Sequence, residues 1–336
     1  MKSTSVGSIS AAALGITNLS FSQEGKHQDK NVFEKPREVW IAAMAKNEIQ
    51  GKNFKETIDA ALREMENAVS YKPDIYCLPE TFLDPAQRSL ETNAEDGSGK
   101  ISGPFQAFAK KNNCYIICPI NTVENGKYYN AAVLIDRQGK IAGQYRKCRI
   151  TESEVEEVGL TPGPIDPPVF KTDFGTIGIQ ICFDIEWPEG WRALAKKGAE
   201  IVFWPSAFAA GKKLNTKAWE NQYCVVSSTL KNTTKIVDIT GEDIAVSGNW
   251  SRWGVCAPVN LEKAFLASWP YVQSFPAIQK KYGRKIRISS LHEEEFSIIE
   301  SLSADVKIAD VMKEFNLKTY REHLKSAEDK QAPRRV

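Results

Sequence analysis

Thr176-Ile-Gly-Ile-Gln-Ile-Cys182-Phe-Asp-Ile-Glu-Trp-Pro-Glu189 decides how this chain is read. A short apolar run ends on a cysteine, and Pro188 then opens a helical pattern over about 189–197. A buried strand that breaks into a helix-starting loop is the connection expected of a layered α/β domain. Downstream, 200–204 repeats the strand pattern, a helix begins near 215, and another strand lies near 224–229. Upstream, 169–170 and 176–181 form a hairpin through Asp173-Phe174-Gly175. Working back from there, strands are expected at 140–145, 131–136, 114–120, 74–79 and 38–44. Helices are expected at 104–112 and at 54–69, where Phe54, Ile58, Ala61, Leu62, Met65 and Val69 recur every three to four residues. Strands and helices alternate, yet tight glycine turns join several strands directly. That combination implies mixed sheets with helices on one or both faces.

Composition narrows the function. The 336 residues include 44 Lys plus Arg and 42 Asp plus Glu, a net charge of +2. Such a balance offers no clustered positive excess for nucleic acid or an anionic membrane. No stretch approaches the ~20 apolar residues of a membrane span. Seven cysteines cannot all pair with one another, and only three histidines are present: His27, His292 and His323. Cys114 and Cys118 could be read as half a zinc site, but no second pair stands at ligand spacing, and two inward side chains on a strand is the simpler reading. No metal or cofactor is expected.

Cys182 stands where a nucleophile on a sharp turn would stand, with backbone N–H groups and a helix start ahead of it. The competing reading is a packed core cysteine. A free thiol has a pKa near ~8.5 and needs a base. The histidines lie in the N-terminal linker and the C-terminal tail, so a carboxylate is the natural candidate. Glu80 ends the strand over 74–79, and Lys147 follows the strand over 140–145. Taken alone, Glu80 reads as a loop residue and Lys147 as a surface strand-end lysine. The conjunction is more specific, because Glu, Lys and Cys each follow a predicted strand.

Leu78-Pro-Glu80-Thr, Tyr145-Arg-Lys147 and Gly178-Ile-Gln-Ile-Cys182-Phe-Asp-Ile-Glu-Trp-Pro-Glu189 together resemble the nitrilase superfamily of carbon–nitrogen hydrolases, over roughly residues 37–260. The resemblance implies an α-β-β-α sandwich and a Glu80-Lys147-Cys182 triad that hydrolyses an amide or N-carbamoyl compound through a thioester. Glu80 would be the base, and Lys147 with the backbone N–H near Phe183 would hold the oxyanion. A supporting glutamate usually precedes a Pro-Gly turn; Glu156 fits best, with Glu154 and Glu157 as substitutes. Cys182-Phe183-Asp184 is similar to the amidase and carbamoylase branches rather than to nitrilases proper. Ile185 and Glu186 occupy positions where carbamoylases of D-amino acids carry carboxylate-gripping arginines, which implies a small-molecule substrate without an adjacent carboxylate. Alternatives on the same fold are a nitrilase, an N-acyltransferase and a non-catalytic interaction protein.

Three segments are expected: 1–35 as an export-leader-like stretch and linker, 36–285 as the hydrolase domain, and 286–336 as a helical extension and tail. Met1 to Ser22 carries one lysine and an Ala-, Ser- and Gly-rich stretch, which reads as an export leader, the alternative being a cytoplasmic protein with a polar tail. Within 303–324, Val306, Ile308, Val311, Met312, Phe315, Tyr320 and Leu324 form an apolar stripe. That stripe, with the family's habit of packing tails across subunits, suggests a homodimer or higher homo-oligomer. A chain starting near Asn31 is expected to be soluble and as active as the full-length protein; aggregation of that truncated chain would place the leader in the core.

Overall fold

The computed structural model describes residues 37–335 apart from 85, 88 and 89; the expected export leader and linker lie outside the described residues. Among the described residues fifteen strands follow in chain order: β1 (Glu38–Met44), β2 (Ile75–Cys77), β3 (Tyr115–Glu124), β4 (Lys127–Ile135), β5 (Ile141–Arg146), β6 (Val169–Lys171), β7 (Thr176–Ile179), β8 (Ile201–Ser206), β9 (Cys224–Thr229), β10 (Lys235–Val237), β11 (Asp243–Val246), β12 (Gly254–Asn260), β13 (Lys263–Ala267), β14 (Ile286–Leu291) and β15 (Phe296–Ser301). They form two six-stranded sheets, ordered β12-β1-β2-β3-β4-β5 and β11-β10-β9-β8-β7-β6, and a three-stranded sheet ordered β13-β15-β14.

The period-two alternation of each strand explains the layers. In β1, Val39, Ile41 and Ala43 face one core while Ala42 and Met44 face another. The first core joins the two large sheets, with Ile177, Ile179, Ile201 and Phe203 supplied by the second. On the outer side of the first sheet, Met44, Tyr76 and Ile116 pack on helices Phe54–Glu66 and Ser102–Asn112 through Ile58, Met65, Phe105 and Phe108. On the outer side of the second, Val202, Trp204 and Val225 pack on helices Pro188–Lys196 and Lys212–Asn221 through Trp191, Leu194, Leu214 and Ala218. The architecture is therefore the α-β-β-α sandwich. Strands buried on both faces must be apolar throughout, and this is why β1 reads as an uninterrupted hydrophobic run.

All parallel strands of both sheets finish at the same end. The Ser228 hydroxyl lies 2.6 Å from the carbonyl oxygens of both Met44 and Cys77, stitching the sheets together there. Between β3 and β4 the two-residue turn Asn125-Gly126 has positive φ at both positions, 51° and 72°. This primed turn matches the twist of the strands and locks their register.

The C-terminal region differs from expectation. Residues 286–301 contain two strands rather than helix, and with β13 they form a sheet covered by helices Phe275–Tyr282 and Ile308–Glu314. Ile-Arg-Ile-Ser-Ser-Leu in β14 has one solvent-facing side, so its polar residues hide the strand in the sequence. The apolar stripe is mostly consumed within the chain: Val306, Ile308, Val311 and Met312 are buried in this module, Tyr320 packs on the central core, and Leu324 is exposed. The stripe therefore supplies no argument for a second copy.

Gly163 backs the end of β5. Its N–H donates to the Lys147 carbonyl at 2.8 Å, and a Cβ there would lie 2.3 Å from the Arg146 carbonyl oxygen. Because backbone cannot give way cheaply, Gly163→Ala is expected to cost about 1–3 kcal/mol by urea unfolding and to lower activity by displacing Lys147. Parent-like stability and activity would contradict this packing argument.

Candidate active site

Cys182 follows β7 and takes a left-handed backbone conformation, φ 45°, before the 3-10 turn Cys182–Glu186. Such a conformation is unfavourable for a side-chain-bearing residue and persists only where its surroundings over-determine it. Asp184 supplies most of that determination. Its buried carboxylate accepts from the Ile181 and Arg149 N–H groups at 2.8 Å each and from the Tyr145 hydroxyl at 2.7 Å. The indole N–H groups of Trp204 and Trp191 donate to the carbonyls of Cys182 and Asp184 at 3.0 and 3.1 Å. Phe183, half-buried, meets the Trp187 ring edge-on at 5.0 Å.

Opposite this turn, the first sheet presents a buried charge cluster. Lys147 Nζ donates to Glu80 Oε1 at 3.0 Å and to Glu154 at 3.0 and 2.8 Å. Asn130, on β4, donates from Nδ2 to Glu80 Oε1 at 2.8 Å and to Glu154 Oε1 at 3.0 Å. Glu80 Oε2 accepts from the Ala207 N–H at 2.8 Å, a group just beyond β8 in the second sheet. Every one of these side chains is at least nine-tenths buried. Charges so placed are tolerable only when paired and hydrogen-bonded throughout.

The electrostatics follow from burial and pairing. Burial works to lower the Lys147 pKa, but attraction to Glu80, the Cys182 sulfur and Glu154 outweighs it, leaving the ammonium raised above an ordinary lysine. Burial works to raise Glu154, yet Lys147 and its hydrogen bonds hold the carboxylate below its usual range. The Cys182 thiol is pushed up to about 12 by burial and by the Glu80 charge, with Lys147 and the Ala207 N–H opposing. Cys182 is therefore a thiol at neutral pH.

Glu80, Lys147 and Cys182, identified from sequence, come together at one end of the sandwich. Glu156 does not join them. It is exposed, as is Glu157, and Glu154 occupies the position beside Lys147. Residues two apart on a helical turn face opposite ways, so Glu154 and Glu156 cannot both point inward. A signal for Glu154 existed: Thr151 and Glu154 form a reciprocal capping box at the start of helix Glu152–Glu156. Asn130 was also missed, although it is a polar residue at the head of the apolar run Ala131-Ala-Val-Leu-Ile135. Asp184 and the Ala207 N–H could be recognised only in three dimensions. Cys114 and Cys118 pack in the apolar core beside the helices, and His323 lies against Tyr271 in the C-terminal module.

Residues 41–265 match the model of the carbon–nitrogen hydrolase family. The chain is 30% identical over 207 residues to a deaminated glutathione amidase of Dictyostelium discoideum, covering 54% of this chain and 71% of that one. It is 35% identical over 144 residues to a beta-ureidopropionase of Arabidopsis thaliana, covering 40% of this chain but only 35% of the relative. The fold superposes on Saccharomyces cerevisiae Nit3, a member of branch 10 of the nitrilase superfamily, with a TM-score of 0.58 at 18% identity, covering 75% of this chain and 96% of Nit3. With the family match spanning the sandwich from β1 into β13, the chain belongs to the carbon–nitrogen hydrolase family and is a carbon–nitrogen hydrolase.

Proposed function

We propose that this enzyme hydrolyses a primary amide or an N-carbamoyl compound through a thioester on Cys182, with Glu80 as general base and Lys147 as oxyanion partner. The observation that carries the reading is the 3.0 Å contact between Lys147 Nζ and Glu80 Oε1, facing a thiol whose pKa stands at about 12. Glu80 takes the thiol proton as sulfur attacks the carbonyl carbon. The carbonyl π electrons move to oxygen, which Lys147 and the Phe183 N–H receive. As the tetrahedral species collapses, the carbon–nitrogen bond breaks and Glu80 returns its proton to the departing amine or ammonia. Water, deprotonated by Glu80, then adds to the thioester; the sulfur leaves as thiol, and the acid or carbamate is released. Glu154 keeps Lys147 charged and aimed throughout, and Asp184 holds the turn that presents sulfur. The names of the relatives, an amidase and a beta-ureidopropionase, support the substrate class.

Cys182→Ala should abolish ammonia release from every substrate the parent hydrolyses. Glu80→Gln keeps the shape but removes the base, and should lower kcat by about 10²–10⁴-fold. Near-parent turnover in either variant would overturn the assignment.

Glu154→Gln tests the support. The folded-state pKa of Glu154 lies below its unfolded value of ~4.3, so its stabilisation is complete above that value and is lost as pH falls through the folded pKa. The variant is expected to be about 1–3 kcal/mol less stable than the parent at pH 7, with the deficit narrowing in acid. A deficit that widens as pH falls would contradict the buried ion pair.

A further inference from the structure

We infer that Asn121 and Asn130 form a polar wall that accepts hydrogen bonds from the –NH2 group on the reacting carbonyl, which makes Asn121 a specificity-determining residue; this rests on the hydrolytic reading above. The β3–β4 register places Asn121 directly opposite Asn130. Residues so paired project from the same face of the sheet. Ile117, an even number of residues before Asn121 on an unbroken stretch of β3, lies in the core between the sheets, whereas Ile116, Cys118 and Ile120 face the helices. Asn121 therefore points between the sheets, as Asn130 does. The row continues outward: the Lys147 N–H donates to the Asn130 carbonyl at 2.8 Å. On the other side the Leu78 N–H donates to the Ile117 carbonyl at 3.1 Å, which brings Glu80 alongside the end of β3. Asn121 thus lies in the catalytic row, between the strand that delivers Glu80 and the strand that delivers Asn130.

Both asparagines are at least nine-tenths buried, and the Oδ1 of each has no hydrogen-bond partner among the described residues. The Asn130 amide cannot be turned over to cure this. Its Nδ2 faces Glu80 and Glu154, two carboxylates that only accept, so its Oδ1 must face away from them. Buried polar atoms left unpaired in a native site call for a partner. Two acceptors beside a carbon–nitrogen hydrolase centre suit a donor with two hydrogens, the unsubstituted –NH2 of a carboxamide or carbamoyl end. A site built this way discriminates against an analogue that cannot satisfy it.

The test compares the purified full-length parent with Asn121→Leu, which keeps the side-chain shape, and with Asn121→Ala. Each is assayed on an N-carbamoyl amine and its N′-methylcarbamoyl counterpart, and on a primary amide and its N-methyl amide. The parent should prefer the –NH2 member of each pair it hydrolyses. Both variants should lose roughly 3–10-fold in kcat/KM on that member and much less on the methylated one, so the ratio narrows. An equal loss on both members, or an unchanged ratio, would reduce Asn121 to a structural role and overturn the inference. A parent that hydrolyses both members equally well would overturn it even if neither variant folds. A parent inactive on the whole panel would remove the proposed function and this inference together. An active parent with an undisturbed ratio would remove this inference alone.

Discussion

A lysine ammonium sealed between two carboxylates is the constraint around which the rest of this molecule is arranged. Lys147 is 2% exposed and Glu80 and Glu154 are 3% and 5% exposed, so none of the three could be buried alone. Together with the Cys182 thiol, the cluster carries a net charge of −1. In the proposed mechanism, moving the thiol proton to Glu80 would leave that total unchanged: the carboxylate would become neutral as sulfur became anionic, with Lys147 and Glu154 keeping their charges. Generating the nucleophile therefore moves a charge within a low-dielectric site without creating one. On that mechanism, this is how a thiol with a pKa of about 12 would serve as a nucleophile near neutral pH.

The sandwich places these groups without a long loop carrying any of them. Glu80, Lys147, Cys182 and Ala207 each stand one to three residues beyond a strand end, and the parallel strands all finish at one edge. The Ala207–Glu80 and Ser228–Met44 hydrogen bonds cross from one sheet to the other at that edge. Sheet-to-sheet packing and active-site geometry are therefore held by the same contacts, and small backbone changes such as one at Gly163 reach Lys147 directly.

Much of this was legible in the sequence because buried strands leave an unambiguous apolar pattern, and Glu80, Lys147 and Cys182 each follow one. The legibility ended where burial was one-sided or phase mattered. In β14 solvent exposes one face, and the strand reads as mixed polar sequence. Glu154 and Glu156 differ by two residues on a short helix, and composition cannot choose between them, whereas the Thr151 capping box can. Asn121 looks like an ordinary strand residue until the Asn125-Gly126 turn fixes its register against Asn130. Asp184 organises the Cys182 turn through partners 35 and 39 residues away in sequence, Arg149 and Tyr145, and no local pattern encodes those contacts.

The central claim is that acyl transfer passes through the sulfur of Cys182. It is tested most directly by acid-quenching the parent during turnover of a slow amide or carbamoyl substrate and measuring the mass of the protein and of its proteolytic peptides. The account predicts a transient adduct of the acyl or carbamoyl mass, confined to the peptide containing Cys182. Turnover with no such adduct under conditions where deacylation limits the rate, or an adduct on any other residue, would contradict it.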